Sequence, residues 1–286
     1  MFGGYASNQP ISESWIFKKS TKEWIQIDNS PIKTSINKLP PARYSHSLAS
    51  LGEGNVLMYG GVDRSQTFSD TWVFNNNKKN RWTQIRNITP LTKSAKSRFS
   101  HAIASIKGQA LMFGGLDENL QLLNDTWIFV PNKKRWTQID NITVTNNFNL
   151  ARESHAMASL ENSVLLFGGY ANGQPLSDSW IFKKSTNEWI DISQNNVAIK
   201  LPEARYLHSM TPLGGNVLMF GGLINNKYLS DSWLFGSTTN EWTQIKAAKN
   251  TKSPSGRCGH AMASMGDTKA LLFGGYGGGE FFADTW

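Results

Sequence analysis

Val217-Leu218-Met219-Phe220-Gly221-Gly222 is an apolar run without alternation that closes on a glycine pair, and its recurrence decides how the chain is read. A polar loop follows, then Asp231-Ser232-Trp233, then a second tryptophan at Trp242. The same order of features returns along the whole sequence. Glycine pairs stand at Gly3-Gly4, Gly60-Gly61, Gly114-Gly115, Gly168-Gly169, Gly221-Gly222 and Gly274-Gly275, spaced 57, 54, 54, 53 and 53 residues apart. A fixed period of this size marks a repeat architecture rather than two ordinary globular domains.

Each repeat holds four strand-like segments, A to D. Segment A follows an Arg-x-x-His signature: Arg43/His46, Arg98/His101, Arg152/His155, Arg205/His208 and Arg257/His260. Small residues follow each His, as strands that converge in a tight space require. Segment B is the apolar run, which fits a strand covered on both faces. Segment C is Asp-Thr/Ser-Trp-x-Phe, so Trp127 and Phe129 share a face, being two residues apart. Segment D starts at the second tryptophan, as in Trp136-Thr137-Gln138-Ile139, and alternates into polar residues like a half-solvated outer strand. A four-stranded antiparallel sheet with A inside, D outside and both faces packed on neighbours is a propeller blade.

Gly-Gly, then Asp-Thr/Ser-Trp, then Trp, then Arg-x-x-His resembles the kelch repeat in its galactose-oxidase-central-domain form, over essentially all 286 residues. The resemblance implies an all-β kelch β-propeller, a single domain over 1–286, with strand A lining a central channel. The expected blades are 1–28, 41–86, 96–140, 150–193, 203–246 and 255–286, the first and last incomplete. Phe2-Gly3-Gly4-Tyr5-Ala6 matches Phe167-Gly168-Gly169-Tyr170-Ala171, and Leu39-Pro40-Pro41-Ala42-Arg43-Tyr44 matches Leu201-Pro202-Glu203-Ala204-Arg205-Tyr206. This offset reads as a duplicated three-blade half and favours six blades. Met1 aligns inside segment B and Trp286 inside segment C, so the expectation is a fragment of a longer protein.

Composition excludes several classes. One cysteine, Cys258, rules out an internal disulfide framework. No apolar stretch approaches the ~18 residues of a membrane helix. No signal peptide is visible, and the compartment is left unassigned. A net charge of +8 would suit an anionic partner, but the lysines are scattered and no nucleic-acid recognition motif accompanies them. Two N-glycosylation sequons, Asn87-Ile88-Thr89 and Asn141-Ile142-Thr143, follow strand D at matching positions.

A residue that recurs in every blade serves the blade. By that rule the five histidines, the Asp70/Asp125/Asp178/Asp231/Asp284 series (Glu13 in the first repeat) and the tryptophan pairs are structural, and no metal, cofactor or catalytic set is expected. The copper and Tyr-Cys chemistry of galactose oxidase has no spare residues here, so the likeness of fold does not carry that activity across. Function is expected instead on the variable B–C and D–A loops, which leave one face. The candidate partner-binding residues are Tyr5, Asp63, Arg64, Asp117, Glu118, Tyr170, Tyr228 and Glu280, with Tyr276 as a further contact. The partner is a protein or a glycan. The alternatives are a carbohydrate-active enzyme, such as a sugar oxidase or isomerase, or a structural module of a larger protein. On the opposite face, Lys18-Lys19, Lys78-Lys79, Lys133-Lys134 and Lys183-Lys184 form basic C–D turns that would suit an acidic partner, although solvated turn lysines explain them as well.

Overall fold

The computed structural model describes residues 1–27, 39–76, 81–86, 94–144, 150–193, 201–246, 248 and 251–286. It divides into two compact units, Met1–Gln138 and Ile139–Trp286. Both are built mainly from short antiparallel strands, and among the described residues one 3-10 turn, Pro131–Lys133, stands between two strands of the first unit. Lys78-Lys79 and the sequon at Asn87 lie outside the described residues.

In the first unit, the first repeat gives β1 (Phe2–Ala6), β2 (Gln9–Lys18) and β3 (Glu23–Gln26) in one three-stranded sheet. The second gives β4 (Ser47–Gly52), β5 (Asn55–Tyr59), β6 (Thr71–Asn75) and β7 (Arg81–Ile85). The third gives β8 (Ala102–Ile106), β9 (Gln109–Phe113), β10 (Thr126–Val130) and β11 (Arg135–Gln138). Each sheet is a simple meander, B-C-D in the first repeat and A-B-C-D in the second and third.

The second unit begins with β12 (Thr143–Val144), which pairs in parallel with the outer strand of the fourth repeat, Thr143 opposite Glu188 and Val144 opposite Trp189. That repeat is β13 (Ala156–Leu160), β14 (Ser163–Phe167), a small hairpin β15 (Tyr170–Ala171) and β16 (Gln174–Pro175), then β17 (Ser179–Lys183) and β18 (Glu188–Asp191). The fifth repeats the plan with β19 (Ser209–Leu213), β20 (Asn216–Phe220), hairpin strands β21 (Leu223–Ile224) and β22 (Lys227–Tyr228), β23 (Ser232–Gly236) and β24 (Glu241–Ile245). The sixth supplies β25 (Ala261–Ser264), β26 (Ala270–Phe273) and the hairpin β27 (Tyr276–Gly277) with β28 (Glu280–Phe281).

Five sheets have three strands or more, so the six-blade expectation is corrected to five. The sixth repeat forms a two-stranded sheet, which its segment C joins through one isolated bridge, Phe273 to Thr285, among the described residues.

The core lies in the seams between consecutive sheets of each unit. Ala110, Leu111, Met112 and Phe113 are fully buried, and so are Val164 to Phe167, as the unbroken apolar run of segment B requires. Alternation then sorts the side chains. Leu57 and Tyr59 join Ile103, Met112, Trp127 and Trp136 in one seam, while Met58 joins Phe2, Trp72 and Trp82 in the other. The D-strand tryptophans cross these seams: Trp82 Nε1 donates to Ser14 Oγ at 3.0 Å, Trp136 Nε1 to Thr71 Oγ1 at 3.1 Å and Trp242 Nε1 to Ser179 Oγ at 3.0 Å. The Thr/Ser of Asp-Thr/Ser-Trp is thus the acceptor for the next repeat's tryptophan. A-strand neighbours also bond across the seam, with Ser47 Oγ donating to His101 O and Ser105 Oγ to Ser50 O, both at 2.6 Å.

The glycine pair has a different task at each residue. Gly60 and Gly61 both have positive φ, +66° and +94°. A Cβ on Gly60 would lie 2.4 Å from Arg98 O of the next sheet, and one on Gly61 would lie 2.8 Å from His46 Cβ of its own. Gly61→Ala is expected to destabilise the chain by roughly 2–4 kcal/mol, from left-handed strain plus a backbone-level clash. Urea denaturation of the variant checks this, and an unchanged midpoint would remove the close-approach explanation.

Candidate functional site

The repeat Arg and Asp form one fixed unit in each blade that carries them. Arg98 is fully buried; its Nη1 and Nη2 donate to Asp125 Oδ1 and Oδ2 at 2.6 and 2.8 Å, its Nη1 to Gly114 O at 3.1 Å, and its Nε to Lys96 O at 3.2 Å. Trp127 Nε1 closes the unit on Asp125 Oδ2 at 2.6 Å. The pattern recurs for Arg43/Asp70/Trp72, Arg152/Asp178/Trp180, Arg205/Asp231/Trp233 and Arg257/Asp284/Trp286. Burial pushes the Asp125 and Asp231 carboxyls up, but the bonds from Arg98 and Arg205 outweigh it and hold both below the usual carboxylate range. On Asp284 the Arg257 bonds dominate, and its value falls to about 2. These guanidiniums bind blade to loop, each through four hydrogen bonds.

The histidines stand in separate seams. His46, His101, His208 and His260 each turn an edge to the aromatic residue before the preceding repeat's glycine pair, as in Phe167–His208 at 5.6 Å and Phe220–His260 at 5.5 Å. Burial, with the Arg257 charge nearby, drives His260 down to about 3; burial and Arg43 do the same to His46, and burial and Arg205 push His208 well below its ordinary value. Among the described residues, no three His, Cys, Asp or Glu side chains gather as a metal site would need.

What does not repeat is found at the ends of strands B and A. From the second glycine pair onward, the residue after the pair bridges the residue after the same repeat's Arg: Tyr44 with Val62, Phe99 with Leu116, Glu153 with Tyr170, Tyr206 with Leu223, Cys258 with Tyr276. The Arg backbone meanwhile bonds the B–C loop of the preceding blade, for example Arg205 N to Leu176 O at 3.0 Å and Gly169 N to Arg205 O at 2.9 Å. B–C loops and D–A ends therefore share one face within each unit.

The predicted residues divide on this face into two groups. Asp63 and Asp117 shape their loops. Asp63 Oδ1 accepts from Ser65 N at 2.7 Å and Gln66 N at 2.8 Å; buried Asp117 accepts from Asn119 N at 2.9 Å and Gln121 N at 3.0 Å. The others are displayed. Tyr5 lies edge-on to Tyr44 at 5.1 Å, Arg64 reaches Asn8 O on the neighbouring loop, and exposed Glu118 accepts from Ser97 Oγ at 2.7 Å. In the second unit Tyr170 packs on Tyr206 at 5.0 Å and Tyr228 on Tyr276 at 5.8 Å, while Glu280 is exposed beside Phe281. The sequence reading missed Tyr44, Glu153 and Tyr206. Their signal was available: the position after the repeat Arg varies among Tyr, Phe, Glu, Tyr and Cys inside an otherwise fixed signature. It also missed Leu120, which is 68% exposed at a loop tip with φ +59°.

The KLHDC2/KLHL20/DRC7 Kelch-repeats domain matches residues 1–169 and again 100–286, so together the matches cover the chain. The chain belongs to the kelch-repeat β-propeller family. Among its relatives are the F-box/kelch-repeat protein At1g51550 of Arabidopsis thaliana, 27% identical over 84% of this chain and 52% of its own, and Adagio-like protein 1 of Oryza sativa, 26% identical over 98% and 46%. Kelch domain-containing protein 2 of Bos taurus is 24% identical over 96% of this chain and 72% of its own. This kelch chain spans about half the length of the first two relatives. The Arg–Asp–Trp units, His wedges and glycine pairs are the kelch scaffold, and the Tyr, Glu and Arg side chains on the loop face are particular to each blade.

Proposed function

We propose that this kelch propeller, one domain over 1–286, is a non-catalytic interaction module that presents its B–C and D–A loops to a partner protein. The observation that carries this reading is the division of labour among the residues. The buried Arg, the half-buried Asp paired with it and the His of the repeat are committed to blade and seam, whereas Tyr5, Arg64, Glu118, Tyr170, Tyr228 and Glu280 sit on the loops of one face within their units. Loops on a rigid sheet scaffold, rich in Tyr with interspersed charge, have the composition of protein-contact surfaces. None of the three relatives described above is named as an enzyme.

The test is affinity capture from cells that express the protein, using the wild type, a variant carrying Arg64→Ala, Glu118→Ala and Tyr228→Ala, and a control carrying Lys133→Ala and Lys134→Ala in a C–D turn. The first variant is expected to lose the defined partners that wild type and control retain. Partners held equally by all three, or turnover of a sugar panel by the wild type, would overturn it. Loss in the control alone would assign binding to the exposed lysines of the turn.

A further inference from the structure

The second unit's loop face carries a feature that the first does not. Tyr170 and Tyr206 meet with tilted rings at 5.0 Å across the fourth and fifth repeats, Tyr228 and Tyr276 meet at 5.8 Å across the fifth and sixth, and Tyr276 continues to Phe281 at 5.0 Å. Glu153 is bridged to Tyr170 through the backbone, and its charge, after burial and with Tyr170 and Cys258, helps to raise the Tyr206 hydroxyl. The four tyrosines are half-buried and Phe281 is 57% exposed. The positions that correspond to Glu153 in the first unit are Tyr44 and Phe99, so the acid is peculiar to the second unit.

We propose that the Tyr170–Tyr206 and Tyr228–Tyr276 pairs, whose backbones are linked through Leu223, together with Glu153 dock a Lys- or Arg-bearing segment of a partner protein. This rests on the loop-face reading above and names the chemistry of the partner. Tyr rings attract a cation to their π-faces, and a carboxylate beside them adds a charge-assisted acceptor. An acidic segment would find little here. The Arg152, Arg205 and Arg257 guanidiniums are turned inward onto Asp178, Asp231 and Asp284, and the Lys227 ammonium beside Tyr228 lies 3.6 Å from Glu203. The chain as a whole carries +8, which repels basic peptides at long range, so binding of one requires a local acidic and aromatic site.

The experiment measures anisotropy of two fluorescein-labelled probes, an acetylated Gly-Arg repeat octapeptide and its Gly-Glu counterpart, with the full chain. The Arg probe is expected to bind and the Glu probe not. Glu153→Gln and Tyr228→Ala should each weaken the Arg probe by roughly three- to tenfold, while Tyr228→Phe, which keeps the π-face, should leave it within about twofold. Circular dichroism and the urea midpoint identify any variant that fails to fold, and Tyr276→Phe against Tyr276→Ala repeats the comparison. Equal or tighter binding of the Glu probe, no binding of the Arg probe, or an Arg affinity unmoved by Glu153→Gln and Tyr228→Ala overturns the proposal. If the Arg probe fails while captured partners still depend on Tyr228, only the cationic specificity falls. If the captured partners are also indifferent to the loop variant, the loop-face reading falls with it.

Discussion

Asp125→Ala is expected to destabilise the protein by about 3–5 kcal/mol, because it strands the fully buried Arg98 guanidinium without its counter-ion. The indole N–H of Trp127 loses its acceptor in the same step. Single domains are stable by only about 5–15 kcal/mol, so the substitution removes a large part of the total. Urea unfolding followed by tryptophan fluorescence should show a lower midpoint. The double variant Arg98→Met/Asp125→Leu separates charge from packing: it should cost markedly less than the two single substitutions summed, since the pair strands nothing. Additive costs would show that the ion pair is not what matters at this position.

Acidification from pH 7 to pH 5 is expected to weaken the fold by several kcal/mol. His260 is 7% exposed and held neutral, at about 3 instead of the ordinary 6.5. Between these values the unfolded chain binds the proton and the folded chain does not, so stability falls as pH drops below 6.5. At pH 5 this amounts to about 2 kcal/mol for His260 alone. His46 and His208 are shifted the same way and act in the same direction. Below pH 4 the depressed Asp125, Asp231 and Asp284 add to the loss, since a carboxylate stabilised when ionised gives up that stability on protonation. The check is the slope of unfolding free energy against pH, which should be shallower in His260→Gln. A flat profile from pH 6.5 to 5 would contradict the buried neutral imidazoles.

Most of the scaffold could be read from residue order. The unbroken run Val164-Leu165-Leu166-Phe167 announced a strand covered on both sides, and the structure buries all four completely. The Arg–Asp pairing was foreseeable from co-recurrence of the two residues. The seam bonds were not, because Trp136 and Thr71 are 65 residues apart and nothing local marks them as partners. Blade number failed for a related reason. Counting glycine pairs counts B strands, whereas a blade requires four paired segments, and Phe273–Thr285 is the one bridge that joins segment C to the sixth repeat's sheet among the described residues.

The face that carries the proposed function was less legible. Asp63 and Asp117 stood out as unrepeated acids, yet their carboxylates are turned onto backbone N–H groups of their own loops. Tyr206 and Glu153 were passed over because they sit within a signature whose flanking Arg and His are structural.

The sequence by itself determined the repeat, the four-strand unit, the buried B strands and the location of variation, since all of these follow from periodicity and from side-chain alternation along a single strand. Only the tertiary structure decided which unrepeated residues are displayed and which are consumed. It also decided that Tyr170 meets Tyr206 and that Tyr228 meets Tyr276. Those side chains meet across seams between sheets, where contact depends on how neighbouring repeats pack and not on distance along the chain.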